Sequence, residues 1–418
     1  MSRYRVRPSG PLRGRVEVSG ATKNAGTKQM AAALLAPGVT TLRNMPVVAD
    51  LDVMVDLLRS IGASVEVLPG DEVRIDAAGE LRAEAPYELV KKMRASFNVL
   101  GPLLARCGHA RVALPGGDNI GSRKVDMHLR GLEAMGASVD VEHGFVVAQA
   151  NRLAGARVVL EFPSVGATEN LMCAAVLAKG STVIENAARE PEVTDLAAFL
   201  CRMGAQVIGA GTSTIEIEGV DELAPVDSEI MGDRVEAGTL LMACGITGGE
   251  LELVGTRQEH LEIVVMKLCE MGMRISPTPD GLWAHAPNRL QAVDIATLPH
   301  PGFATDFMPL AVALMTVAVG SAIVTENIYD GRFQFVDELA RMGADVRTEG
   351  RHAVVRGVDR LSGAPVAASD VRAGAALVLA GLVADGETIV YECHHVDRGY
   401  VDLPETLREL GADVERVV

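Results

Sequence analysis

Apolar positions along this chain switch repeatedly from a helical period to a strand period, and the switch always passes through a glycine. It reads LRSIGASVEV from Leu58, LEAMGASVDV from Leu132, LCRMGAQVIG from Leu200, LCEMGMRISP from Leu268, LARMGADVRT from Leu339 and LRELGADVERV from Leu407. In each, two apolar residues three apart share one helical face, and alternation such as Ala63, Val65, Val67 then marks a half-buried strand. Between them Gly62, Gly136, Gly204, Gly272, Gly343 and Gly411 stand where a helix stops in the left-handed conformation. The steps between these glycines are 74, 68, 68, 71 and 68 residues, a regularity that belongs to architecture. A second signal falls midway through the units: an Ala/Leu-rich run, a polar turn with glycine, then a β-branched stretch. Examples are AAALLAPGVTTLRN from Ala31, AAVLAKGSTVIEN from Ala174 and VLAGLVADGETIV from Val378. The pattern predicts six α/β units, each with two helices that feed two strands. No Pro/Gly/Ser-rich linker separates the copies, which argues against six independent small domains.

Composition narrows the class. The 418 residues suit two domains of ordinary size. Hydrophobic residues make up 48% and aromatics only 3%, so Ala, Leu, Val and Gly must do the packing. A formal charge of −16 argues against a general nucleic-acid binder, and an anionic ligand must meet locally placed Lys and Arg. The six cysteines are scattered and form no CxxC, which points to a reduced, cytoplasmic protein. MSRYRVRPSG lacks the apolar run of a signal peptide. The uncharged stretch from Phe307 to Thr325 is long enough to raise the question of a membrane span. It follows the helix, Gly-Ser turn and strand pattern of the other units and is read as core.

Four interruptions of the repeat carry charge. VSGATKNAG, Val18 to Gly26, joins a strand to a helix expected to begin near Ala25, which puts Lys23 and Asn24 where a helix start favours an anion. A polar cap explains the same residues, and no GK[ST] of a Walker loop occurs. LPGGDNIGSRKVDMH, Leu114 to His128, holds Asp118, Arg123, Asp126 and His128 in a loop framed by Gly116, Gly117 and Gly121, inside the longest step of the repeat. HPGFATDFMP, His300 to Pro309, sets Asp306 at the head of the apolar helix, where a structural N-terminal carboxylate is equally natural. Arg94, Arg332, Arg372 and Arg398 lie at unit boundaries. Singly each suits a surface ion pair; together they point to a polyanionic substrate. Cys393, His394 and His395, read as one strand, would face opposite sides and share no metal.

Taken together, SGATKNA, MRAS, PGGDNIGSRKVDMH, PSVGATEN, ENAAREPE, HPGFATD and HHVDRGY resemble the enolpyruvyl transferases that act on UDP-N-acetylglucosamine (1-carboxyvinyltransferases of peptidoglycan synthesis), in order, in spacing and over nearly the whole chain. The resemblance implies a two-domain inverse α/β barrel of six βαβαββ units, three per domain, helices inside and sheets outside. It places one domain at 23–231, the other at 1–22 and 232–418, and the active site in the cleft between them. Lys23, Asn24, Arg123, Arg372 and Arg398 are then the phosphoenolpyruvate contacts. Asn24, Arg94, Arg123, Lys124, Val125, Asp126, Met127, Ser164, Val165, Gly166, Asp306 and Ile328 are the UDP-sugar contacts. Asp118, Asp306, Lys23 and Arg398 carry the catalysis. Three departures stand out. Thr22 is an extra residue in the usual SGAKN, so the loop is expected to bulge. Phe162 replaces a common lysine. Asp118 occupies the position of the family's loop cysteine.

The implied reaction adds the sugar 3-hydroxyl to C2 of phosphoenolpyruvate, protonates C3 and eliminates phosphate. Asp118 is the expected proton donor and Asp306 the expected base, with no metal or organic cofactor and no obligate protein partner. An ordinary aspartate, with a pKa of about 3.9, is ionised at neutral pH; desolvation and the substrate phosphate raise it, and Lys23 and Arg123 lower it. With no cysteine to alkylate at that loop position, insensitivity to fosfomycin is expected. The rival readings are an enolpyruvyl transferase acting on shikimate 3-phosphate or on a nucleotide of secondary metabolism, and an inactive UDP-sugar-binding relative.

Overall fold

The six glycines do what the sequence asks of them. Each takes positive φ, between 87° and 114°, at the end of a helix. In every copy the amide after the glycine donates to the carbonyl of the leading leucine: Ala63 to Leu58, Ala137 to Leu132, Ala205 to Leu200, Met273 to Leu268, Ala344 to Leu339 and Ala412 to Leu407. This six-to-one bond closes a Schellman motif and satisfies a carbonyl that the helix end would otherwise orphan. The strand that follows is Ser64–Leu68, Ser138–Glu142, Gln206–Ile208, Arg274–Thr278, Asp345–Glu349 or Asp413–Val417.

This computed structural model describes residues 2–18, 20, 22–117, 120–121 and 124–417. Asp118 and Arg123, two of the expected site residues, lie outside the described residues. The chain divides into two compact units. One comprises Met1–Ser19, Asp118–Arg123 and Gly232–Val418; the other comprises Gly20–Gly117 and Lys124–Met231.

Among the described residues each unit holds three four-stranded sheets, and all six share one plan: a parallel outer pair followed by two antiparallel pairings. In the first-named unit two of the sheets borrow from the start of the chain. Arg3–Arg7 lies between Thr388–Tyr391 and Asp413–Val417, and Arg13–Glu17 pairs with Glu250–Val254. The remaining pair of strands, Leu361–Ser362 with Ala384–Asp385, is a short parallel ladder.

Two kinds of helix face these sheets. Those that end at the repeat glycines are amphipathic, such as Ala49–Ile61 and Pro191–Arg202. Five others are buried on nearly every side: Arg234–Thr247, Met308–Met315 and Val371–Gly381 in one unit, Lys23–Ala32 and Val165–Ala175 in the other. Small residues make that burial possible, as in Ala373, Gly374, Ala375 and Ala376, all buried in one helix. The stretch from Phe307 to Thr325 resolves into the buried helix Met308–Met315 and the strand Ser321–Thr325. No helix among the described residues is long and apolar enough to cross a membrane.

Two local expectations need correction. The first helix begins at Lys23, not Ala25, because Thr22 is its cap: the Thr22 hydroxyl accepts from the Asn24 amide and its carbonyl from the Ala25 and Gly26 amides. Thr22 thus has a structural use. Cys393, His394 and His395 do not lie on a strand. Glu392 at φ 56° ends the strand Thr388–Tyr391, and the chain turns into the 3-10 helix Cys393–Arg398.

Candidate active site

Within the unit that contains Gly20–Gly117 and Lys124–Met231, the expected residues gather at the starts of helices. Lys23 opens the Lys23–Ala32 helix, and its ammonium pairs with the buried Asp50 carboxylate at 2.9 Å. Ser164 caps the Val165–Ala175 helix, its hydroxyl accepting from the Ala167 amide, which puts Val165 and Gly166 in the first turn. Lys124 and Val125 lead into the Asp126–Ala134 helix. Arg94 heads the 3-10 helix Arg94–Val99 and donates to the Lys124 carbonyl at 3.3 Å. Helix starts present unpaired amides and a positive dipole end, which suits the phosphates of a nucleotide. Phe162 is partly exposed just before Ser164.

A buried polar layer locks these starts together. Lys28 pairs with Glu169 at 2.8 Å, joining the Lys23–Ala32 and Val165–Ala175 helices, and Asn98 donates to the same carboxylate oxygen at 3.2 Å. Burial pushes the Glu169 carboxyl up, against the pull of Lys28. His128 is buried too, with its Nδ1 bonded to the Asn170 amide at 2.9 Å and its ring edge-on to Phe97. Any side chain at Gly166 would lie against the His128 ring. Burial, then repulsion from Arg94 and Lys28, lowers the His128 pKa from 6.5 to about 3, so the ring is neutral at physiological pH.

In the other unit a second cluster is organised around Asp306. The 3-10 turn Thr305–Phe307 delivers it to the head of the Met308–Met315 helix, and Phe307 seats its ring where Gly238 leaves room. The Asp306 carboxylate meets Arg332 at 2.9 Å and Arg372 at 3.9 Å. Burial favours the neutral acid, but Arg332, Arg372 and then Arg234 outweigh it and hold Asp306 well below the usual carboxylate range. Arg372 sits at the start of the Val371–Gly381 helix, capped by Asp370, with its guanidinium over the Tyr400 ring at 5.1 Å. Burial works against its charge, yet Tyr400, Asp306 and Asp233 keep it a firm cation. Arg372 Nη1 is buried and has no hydrogen-bond partner among the described residues. A buried donor left open in this way suits an incoming anion. Arg398 ends the 3-10 helix Cys393–Arg398 and is half-buried, two residues before the buried Tyr400.

Glu326 is the residue that sequence reasoning missed here. It is buried and accepts from Thr297, Thr305 and the amides of Ile328 and Tyr329, at 2.7–3.0 Å. Thr305 in turn accepts from Arg332 at 2.7 Å. Glu326 therefore fixes the Ile328 backbone and the segment bearing Asp306 with one side chain. Its only signal in the sequence was a carboxylate at the end of an apolar strand. Asp50, partner of Lys23, was missed in the same way.

A family profile for EPSP synthase (3-phosphoshikimate 1-carboxyvinyltransferase) matches residues 6–407. A protein named UDP-N-acetylglucosamine 1-carboxyvinyltransferase from Corynebacterium jeikeium is 53% identical over 97% of each chain. One of the same name from Mycobacterium tuberculosis is 51% identical over 99% of each. Among solved structures, the enolpyruvyl transferase NikO from Streptomyces tendae superposes with a TM-score of 0.89 at 26% identity, covering 100% of this chain and 99% of that one. EPSP synthase from Acinetobacter baumannii, at 19% identity and a TM-score of 0.76 over 100% of both chains, speaks to the fold alone. The fold is thus the α/β fold of the enolpyruvyl transferases, and the chain belongs to the carboxyvinyltransferase family, alongside its members named UDP-N-acetylglucosamine 1-carboxyvinyltransferase.

Proposed function

We propose that the chain transfers the enolpyruvyl group of phosphoenolpyruvate to the 3-hydroxyl of UDP-N-acetylglucosamine, releasing phosphate, as the first committed step of peptidoglycan synthesis. The names of relatives more than 50% identical over nearly full length support the substrates. The observation that carries the chemistry is Arg372, a buried guanidinium with an open donor beside an ion-paired carboxylate. In this reading Arg372 and Arg398 take the carboxylate of phosphoenolpyruvate, and Lys23, Arg123 and Arg398 take its phosphate, with Asn24 beside them. Arg94, the Arg123–Met127 run and Ser164–Gly166 hold the UDP-sugar, with Asp306 and Ile328 at the sugar. A cytoplasmic location is part of the proposal, in keeping with six free cysteines.

The base and acid steps follow from charge. Asp306, held so far below the ordinary range, is a poor base while both arginines neutralise it. The contact with Arg372 is the loose one, at 3.9 Å. When Arg372 turns its donors to the substrate carboxylate, Asp306 loses part of that stabilisation and its pKa rises toward a useful value. It then accepts the proton of the 3-hydroxyl as oxygen bonds to C2, while Asp118 gives a proton to C3. Phosphate then leaves from the tetrahedral adduct with the proton held by Asp306, and a C3 proton returns to Asp118 as the C2–C3 double bond re-forms; the fixed cations stabilise the charge of the adduct.

Phosphate release with phosphoenolpyruvate and each candidate acceptor tests the reading. Release that requires UDP-N-acetylglucosamine is expected. Release with shikimate 3-phosphate alone, or with no acceptor, overturns it. Asp306→Asn should lower turnover by about 10²-fold or more with UDP-sugar binding kept. Asp118→Cys should keep turnover and gain sensitivity to fosfomycin; an active variant that stays insensitive would remove position 118 from the reaction.

A further inference from the structure

One dense polar cluster among the described residues lies apart from the Asp306 arginines. Tyr4 and Arg416 are register partners on the paired terminal strands Arg3–Arg7 and Asp413–Val417. Tyr4 is fully buried, and the Arg416 guanidinium lies over its ring at 5.0 Å. Both reach the same carboxylate. Arg416 grips Asp397 with a two-pronged fork, Nη2 to Oδ1 at 2.6 Å and Nη1 to Oδ2 at 3.0 Å. The Tyr4 hydroxyl donates to Asp397 Oδ1 and accepts from Arg416 Nη2 at 3.0 Å. Such a fork fixes orientation as well as distance.

Asp397 immediately precedes Arg398 on the 3-10 helix Cys393–Arg398. That helix has six residues and no side-chain cap at its start, so its own backbone holds it weakly. Its position must come from its anchors. On one side Asp397 is tied to two strands of a four-stranded sheet. On the other, Tyr400 is buried, with its hydroxyl bonded to Thr239 at 2.8 Å and its ring under the Arg372 guanidinium. Arg398 lies between the two anchors. An exposed ion pair alone contributes little stability. Here the pair is partly exposed, and its geometric role outweighs its energetic one.

We propose that Tyr4, Asp397 and Arg416 form a positioning clamp that fixes the Cys393–Arg398 turn and so aims the Arg398 guanidinium at the anionic substrate. The inference rests on the reading of Arg398 as a phosphoenolpyruvate contact. The clamp touches no reacting atom; it acts through Arg398.

The test compares Tyr4→Phe, Asp397→Asn, Arg398→Ala and the double variant Asp397→Asn/Arg398→Ala in steady-state kinetics. Misplacing a binding group by about 1 Å can cost as much as about 100-fold. Asp397→Asn should therefore raise KM for phosphoenolpyruvate about tenfold, and Tyr4→Phe, which keeps the ring and the packing, somewhat less. KM for UDP-N-acetylglucosamine and the thermal midpoint should hardly move. The double variant should be no worse than Arg398→Ala, because a clamp has nothing to aim once the guanidinium is gone. Full additivity, unchanged phosphoenolpyruvate KM in both single clamp variants, or equal losses for both substrates would overturn the clamp. If Arg398→Ala is itself silent, the Arg398 assignment is what has failed, and the clamp falls with it.

Discussion

His128 lies between Phe97, Asn170 and Gly166, and its charged form is opposed by burial, Arg94 and Lys28 alike. Its pKa is depressed in the folded chain, so the unfolded chain takes up the proton first. Stability from this residue is complete above about pH 6.5 and is lost as pH falls toward 3. At about 1.4 kcal/mol per pKa unit, the fall from pH 7 to pH 5 removes about 2 kcal/mol. Urea unfolding at both pH values should show His128→Gln with a pH dependence shallower by that amount; parallel slopes would refute a buried neutral ring. Asp306 is depressed too, but as a carboxylate it behaves oppositely to an acid held neutral. It stays charged through the whole physiological range, and its ion pairs weaken only below the ordinary carboxylate range. The sequence announced Asp306 by its place before an apolar helix. It gave no sign of which arginines would neutralise it, because Arg332 and Arg372 arrive from 26 and 66 positions away.

Two glycines separate backbone need from lack of space. Gly204 has φ 107°, and a Cβ there would meet nothing within 4 Å. Gly204→Ala should thus cost only the left-handed penalty, about 1–2 kcal/mol. Gly238 is helical, and a Cβ there would strike the Phe307 ring. Gly238→Ala should cost about 1–3 kcal/mol and, by displacing Phe307, also lower turnover through Asp306. Equal turnover in the two variants would contradict that coupling. The Lys28–Glu169 pair belongs to the same scale, since it joins two helices. Lys28→Met leaves a buried carboxylate without its counter-charge and should cost about 3–5 kcal/mol, whereas Lys28→Met/Glu169→Leu should recover much of it. A double variant no more stable than the single would contradict that recovery. Elements of this kind were legible where local chemistry decides them: the six glycine caps, and the Ala-rich helices that feed β-branched strands. They were illegible where one residue tips the balance, as when Thr22 moved a helix start to Lys23 or Glu392 turned an expected strand into a 3-10 helix.

At the scale of the molecule the repeat is not laid out in simple succession. The six sheets share one plan, but two of them are finished by strands from residues 3–17. The sequence displayed the period and not this loan, because pairing across some 400 residues leaves no local mark. Tyr4, Asp397 and Arg416 were passed over for the same reason. The loan has an energetic consequence. Arg3–Arg7 is an interior strand, and without it Thr388–Tyr391 and Asp413–Val417 lose their shared partner while the pocket filled by the buried Tyr4 and Val6 stands open. The segment 20–231 owes nothing to the chain start: its three sheets are complete and close over their own apolar core. A fragment of residues 20–231 should therefore fold alone with a cooperative transition, and one of residues 232–418 should not, since an apolar core with an unpaired interior strand cannot offset its chain entropy. Adding a peptide of residues 1–18 should restore dispersed amide resonances to the 232–418 fragment. A 232–418 fragment that folds cooperatively without the peptide would mean that the terminal strand is trimming and not structure, and would remove the rigid footing on which Asp397 is held.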